Sequence, residues 1–325
     1  MQEIEHWSIS SEILCREAQK LWLTYEIIDR ESNIFYISSK SQKILFKSTD
    51  FWVNSALWFK LVQDKSYCYR ILDLHWLPIS KSFYLSKTEY ENFDIQIIQD
   101  INFPLVIKPL SEAHGNWVRM NISSYDELFE KLSESYKVYD NIIIQEQISG
   151  DEVRVIVMQD EVITAFIRRP PYVVWDWKKQ IIELINDENA NNKLRWDMYE
   201  SPLTEIIIDD EVRDILKKQE CDENTILPAH RKVFLRKNSN IGTWGTLEDA
   251  THLLAEETKQ IAIRSSHLFW LQFAWVDIIL QDITKPLSKN NGIILEINAT
   301  PWIWWHEEIL WKSTWKKILK KLFCI

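Results

Sequence analysis

The apolar positions change period several times along the chain. Ile13, Leu14, Ala18 and Leu21 recur three and four residues apart, as on one helix face, and "YEII" then reads as a strand. Residues 11–29 are therefore expected to form a helix and then a strand, with further strands at 34–37 and 43–46. Residues 56–80 keep a helical period up to Pro78, and Lys65 opens a helix after Asp64. "FPLVIKPL" (103–110) predicts a strand, "SEAHGNWVRMNI" a loop returning into another, and "SSYDELFEKLSES" a helix capped by Ser123 or Ser124. "NIIIQEQISGDEVRVIVMQDEVITAFIRRPP" predicts three strands joined by short turns. After "PPYVVWDWKKQ", the apolar alternation of residues 180–186 predicts another strand. "DDEVRDILKKQE" predicts a helix, "KVFLRKN" a strand, 247–268 a long helix, and 272–282 and 292–300 the last two strands. "KSTWKKILKKLF" is a basic amphipathic helix, expected to cap the fold rather than bind a membrane. The whole reads as α+β with largely antiparallel sheets.

Bulk properties narrow the function. The 325 residues suffice for two or three subdomains, and the net charge of -10 argues against nucleic acid as a partner. Cys15, Cys68, Cys221 and Cys324 form no CxxC pair and read as reduced cysteines. "MQEIEHWSIS" is no signal peptide, and no apolar run reaches the roughly 18 residues of a membrane span. A cytoplasmic protein without membrane contact is the expectation.

One count is abnormal: 5 glycines against 17 tryptophans. Glycine is usually near 7% of a soluble chain, and the two types taken together would be about 7% of this one. Trp22 and Trp76 stand where a helix would end on glycine, and Trp175 and Trp177 flank Asp176 in what reads as a turn.

The candidate chemistry lies in apolar strands. Asp277 is in the middle of "WVDIIL"; Glu296 and Asn298, two apart in "LEIN", share a face of the next strand. If these strands pair, three hard oxygen ligands converge, as suits Mg²⁺ shared with phosphate oxygens. Asp277→Asn is expected to abolish turnover with the fold intact. Lys108 within "LVIKP", Arg154 within "EVRVI" and Arg236 within "VFLRK" are cations in apolar strands, where charge needs a partner. With Lys65 they point to a nucleoside triphosphate with magnesium. Neither GxxxxGK[ST] nor a GxGxxG following a strand is present.

In order, "DKSYCYRILDLHWLPIS", "VIKPLSEAHGNWV", "QEQISGDEVRV", "PPYVVWDWKKQIIELIN", "RKNSNIGTWGT" and "FAWVDIILQDITKPL…GIILEINATPWIWWH" resemble the ATP-grasp carboxylate–amine ligases. They look most like the ATP-grasp part of cyanophycin synthetases and of bifunctional glutathione synthetases. The resemblance covers about residues 55–320. It implies two α+β lobes gripping ATP: a pre-ATP-grasp region at 1–55, then an ATP-grasp domain at 56–325 with a lid-like part near 100–168 and a catalytic lobe from about 169. It implies ATP-dependent amide formation through an acyl phosphate, on amino-acid or small-peptide substrates. Asp277, Glu296 and Asn298 would hold Mg²⁺, with Mn²⁺ as the other candidate. Lys65, Lys108, His114, Gly115, Glu146 and Gly245 would bind ATP; Arg154, Arg236 and Asn240 would stabilise transferring phosphate. Gln145 stands where the family often has an acidic residue. A homo-oligomer is compatible with this reading, and a non-catalytic ATP-binding relative is its alternative. No second, Mur-ligase-like domain follows within the 325 residues, so a free-standing peptide or glutathione-like ligase is expected rather than full cyanophycin synthesis.

In the family's pattern Trp117, Trp175, Trp177, Trp244, Trp275 and Trp302 all fall on glycine. The reading adopted is that these are UGA codons which the source organism decodes as glycine. The alternative is a protein truly rich in tryptophan, with genuine indoles stacking on sugars. Some of the 17, Trp305 among them, can be genuine tryptophans under either reading.

Overall fold

The computed structural model describes residues 7–51, 53–92, 95–110, 117–174, 177–192, 195–196, 203–228, 231–236, 245–301, 303, 307, 309–310 and 312–325. By contacts the chain forms two units, Val53–Val162 with Leu253–Ala299, and Met1–Trp52 with Ile163–His252 and Thr300–Ile325.

The unit built on Val53–Val162 begins with two helices, Ala56–Gln63 and Lys65–Leu74. Asp64 separates them: its extended backbone ends the first, and its carboxylate accepts the N–H groups of Ser66 and Tyr67 to start the second. A four-stranded antiparallel sheet follows in the order Ser82–Ser86, Asn141–Glu146, Leu105–Pro109, Arg119–Ile122. The helix Tyr125–Ser135, N-capped by Ser124, packs Leu128 and Leu132 against Leu105, Ile107, Ile142 and Ile144. Three more strands, Asp151–Met158, Phe273–Leu280 and Gly292–Asn298, pair antiparallel with Phe273–Leu280 in the middle. Seven of the eight residues of that middle strand are buried, so both its faces are covered. Gly150 has φ 155°, and a Cβ there would stand 2.5 Å from the Leu280 carbonyl oxygen, which keeps the turn into these strands for glycine.

The other unit starts with the helix Ile9–Lys20, N-capped by Ser8, and the antiparallel strands Thr24–Asp29, Ile34–Ser38 and Lys43–Lys47. Phe35 and Phe46 stack in its core, with ring centroids 5.4 Å apart. Tyr172–Val174 pairs with Lys232–Phe234, and Thr246–Asp249 with Glu161–Arg169, both antiparallel. The amphipathic tail is the helix Thr314–Phe323, which buries Trp315, Ile318, Leu319, Leu322 and Phe323 and packs on Ile9–Lys20. Among the described residues no helix is long and apolar enough to cross a membrane.

Two expectations are corrected. Residues 180–186 do not form a strand: Ile181–Asn191 is a helix, started where the Gln180 N–H donates to the Glu183 carboxylate at 2.8 Å. Ile181, Ile182, Leu184 and Ile185 fit a helical period as well as an alternating one, and this cap decides between them. The long helix at 247–268 begins only at Glu256, because Thr246–Asp249 is a strand pairing with Phe166–Arg169.

Glu307 accepts the N–H of Trp315, 2.6 Å away in the first turn of the last helix, and burial raises its pKa to about 7. A carboxyl with a raised folded pKa favours folding fully below its unfolded value, about 4.5, and loses that contribution as pH rises through about 7. The melting temperature should therefore fall between these pH values in the wild type, and Glu307→Gln should flatten that slope; an equal slope in both would exclude Glu307 as its source.

Candidate functional site

Three strands of the Val53–Val162 unit set one charge each into a single row. In the ladder Asp277 stands opposite Arg154 on one side and Glu296 on the other. Directly opposed residues share a face of the sheet, so the three lie on one face. Two residues along the strand, on that same face, Trp275 stands opposite Asn298. A bulge makes this register: Asp277 pairs with Glu296 but Ile278 with Ile294, leaving Leu295 over. Asp277 is fully enclosed, and Arg154 holds both its oxygens, Nε to Oδ1 and Nη2 to Oδ2, each at 2.6 Å. The Asn298 amide donates to Glu296 Oε1 at 3.1 Å.

Lys108 comes from the four-stranded sheet and Lys65 from the first turn of its helix. Burial lowers the pKa of both lysines; each also feels the Glu296 carboxylate, which opposes the shift, and Lys108 lowers Lys65 further. Two cations partly withdrawn from water beside one carboxylate make a place that favours an incoming anion. Tyr69, one turn after Lys65, joins the two sheets: Lys108 Nζ donates to its hydroxyl at 3.4 Å, and that hydroxyl donates to the Leu295 carbonyl. The carbonyl belongs to the bulge residue, so the irregularity that sets the Glu296 register also presents the acceptor for Tyr69. Sequence reading missed Tyr69; its signal was a tyrosine on the buried face of a helix, whose hydroxyl needs a partner. Tyr69→Phe should weaken nucleotide affinity about tenfold, roughly the ~1.4 kcal/mol of one hydrogen bond to a charged group. Unchanged affinity by calorimetry would leave Tyr69 a packing residue.

The other expected residues lie as follows. The Glu146 carboxylate accepts from the Asn102 backbone N–H at 2.9 Å and from its side chain at 2.8 Å. Arg236 lies in the other unit, where it bonds Asp209 at 2.8 Å and pairs with Glu211 at 2.9 Å. Gly245, also in that unit, is buried just before the strand Thr246–Asp249. His114, Gly115 and Asn240 lie outside the described residues, as do Trp175, Asp176, Trp244, Trp302 and Trp305. Among the described residues no group of three His, Cys, Asp or Glu side chains could hold a metal. The expected set counts only two carboxylates and completes itself with the Asn298 amide. Two carboxylates and an amide oxygen are the donor types that suit a hard divalent cation, and in this structure both Asp277 oxygens are held by Arg154.

Residues 62–171 match the RimK-like ATP-grasp domain. The chain is 29% identical over 254 residues to cyanophycin synthetase of Synechocystis sp., covering 76% of this chain and 28% of that protein. It is 26% identical over 306 residues to the glutathione biosynthesis bifunctional protein GshAB of Clostridium perfringens, covering 93% of this chain and 39% of that one. It thus spans well under half the length of these curated relatives. The crystal structure of a bifunctional glutathione synthetase from Pasteurella multocida superposes with a TM-score of 0.79 at 22% identity, over 98% of this chain and 44% of that one. That likeness shows the ATP-grasp fold, expected from the resemblance.

Proposed function

We propose that the chain, whose residues 62–171 match the RimK-like ATP-grasp domain, is an ATP-dependent carboxylate–amine ligase, joining amino-acid or small-peptide substrates in the cytoplasm. The observation that carries this reading is the row Arg154–Asp277–Glu296, in register on one sheet face, with Lys65 and Lys108 in the field of Glu296.

The chemistry follows from the charges. A substrate carboxylate oxygen attacks the γ-phosphorus of ATP, the bond to the β,γ-bridging oxygen breaks, and ADP leaves. The amine nitrogen then attacks the acyl carbon, loses a proton, and expels phosphate. Both steps are governed by positioning and by neutralising charge on phosphoryl oxygens. Lys108 and Lys65 neutralise that charge, Tyr69 holds the Lys108 ammonium in place, and Arg154 fixes the Asp277 carboxylate. A magnesium ion held by Asp277, Glu296 and Asn298 would supply Lewis-acid charge neutralisation. Arg236 and Asn240 are proposed to serve the transferring phosphate, and Glu146 the adenosine end.

The test is ADP release in mixtures of amino acids, with mass spectrometry of the products. ADP formation that requires both an acid and an amine, with an amide product, supports the ligase. MgATP binding without turnover on any mixture would leave a nucleotide-binding protein instead.

A further inference from the structure

Eleven non-glycine residues among those described have positive φ, and five of them are tryptophan: Trp22 (61°), Trp76 (59°), Trp117 (58°), Trp177 (78°) and Trp270 (51°). Any side chain with a Cβ is strained there, and glycine is not. Three of the five terminate helices in one way. Trp22, Trp76 and Trp270 donate their N–H to Gln19, Asp73 and His267, and the leucine after each donates to Ala18, Leu72 and Ser266. This is the Schellman end, whose left-handed residue is usually glycine. The leucines Leu23, Leu77 and Leu271 are buried, whereas the indoles of Trp22, Trp76 and Trp270 are 95%, 90% and 70% exposed. A tryptophan left almost wholly in water gains nothing to offset its backbone strain. Two further helices end this way, on Glu220 and on Cys324, so the geometry tolerates a side chain without calling for an indole.

Trp275 differs, because its fault lies in the site. Its indole lies against the Arg154 guanidinium, 3.7 Å from ring centroid to Cζ, on the face shared by Asp277, Glu296 and Asn298. It is 9% exposed, and among the described residues its buried indole N–H has no hydrogen-bond partner. At that position the ring covers the row of charges.

We propose that residues 22, 76, 117, 177, 270 and 275 are glycine in the protein as its own cell makes it, and that glycine at 275 opens the Arg154–Asp277–Glu296 face to nucleotide. The tryptophans then stand for UGA codons read as glycine. Trp270 joins the set on backbone geometry alone. Trp315, helical and wholly buried, is a true tryptophan. The second clause rests on the ligase reading; the first does not.

The gene is expected to show UGA at these six positions and UGG at 315; UGG at 22, 76 and 270 would overturn the proposal. Two protein measurements bear on it separately. The form with Trp22→Gly, Trp76→Gly, Trp117→Gly, Trp177→Gly and Trp270→Gly should melt higher than the chain as translated, by roughly 2 °C per site, while Trp315→Gly should melt lower. A five-site form that melts no higher overturns the backbone assignment, whatever the activity. Trp275→Gly should bind MgATP at least tenfold more tightly by calorimetry, and equal or weaker binding overturns the assignment at 275. A five-site form that melts higher while the Trp275→Gly form binds no MgATP keeps glycine at the five positions and rejects both the opening of the face and the ligase reading.

Discussion

Asp277→Asn is expected to eliminate turnover and to lower the melting temperature as well. The sequence suggested that this variant would leave the fold intact. The structure gives a reason to expect a loss of stability as well, because Asp277 is fully enclosed and both its oxygens are engaged by Arg154. Removing one partner of a buried ion pair leaves the other charge uncompensated, at a cost of roughly 3–5 kcal/mol. Lost activity alone would therefore not separate a metal ligand from a structural anchor. A double variant separates them. Arg154→Leu with Asp277→Leu replaces the pair by apolar side chains, a change that is often neutral for stability. It should recover most of the lost melting temperature and still give no ADP. A double variant that regains turnover would remove Asp277 from the chemistry.

Lys108→Ala should weaken MgATP binding between tenfold and a hundredfold, about 1.4–3 kcal/mol, the range of hydrogen bonds to a charged partner. Its pH dependence is the more specific sign. Burial holds the Lys108 pKa below 10.5, so the ammonium destabilises the empty protein at pH below that lowered value. This penalty disappears as pH rises from the lowered pKa to 10.5, the opposite course to a salt-bridged lysine. Phosphate needs the charged form, so affinity should fall as pH passes the lowered pKa. Lys108→Arg should carry binding to higher pH, since a guanidinium does not titrate there. A wild-type affinity flat up to pH 10.5 would count against Lys108 as a phosphate ligand.

The sequence was most informative where a charge interrupts an apolar strand. Lys108, Arg154, Asp277 and Glu296 could all be singled out because an unpaired charge in such a strand is costly. What it could not give was the pairing. Arg154 and Asp277 are 123 residues apart, and Glu296 reaches the shared face only because the bulge at Leu295 shifts the ladder by one. Nothing local in "GIILEIN" marks that shift. Tyr69 was missed for the same reason, since its acceptor is a carbonyl 226 residues away. Residues 247–249 were read as helix because their strand partners, at 166–168, are likewise distant. The glycine-like tryptophans were legible as positions, yet their left-handed backbone needed coordinates. Trp270 was invisible beforehand, as the start of "WLQF" matches no motif.

The exposed indoles at the helix ends also make the question of residue identity an optical one. Trp22, Trp76, Trp177 and Trp270 are at least 70% exposed, so in the chain as translated they would emit with the red-shifted fluorescence of water-relaxed indole. Among the described residues the tryptophans outside the proposed glycine set include Trp7 and Trp58, half-buried, and Trp315, wholly buried. Protein purified from its own cells should then show a bluer emission than protein made in a host that reads UGA as tryptophan, and iodide should quench it less.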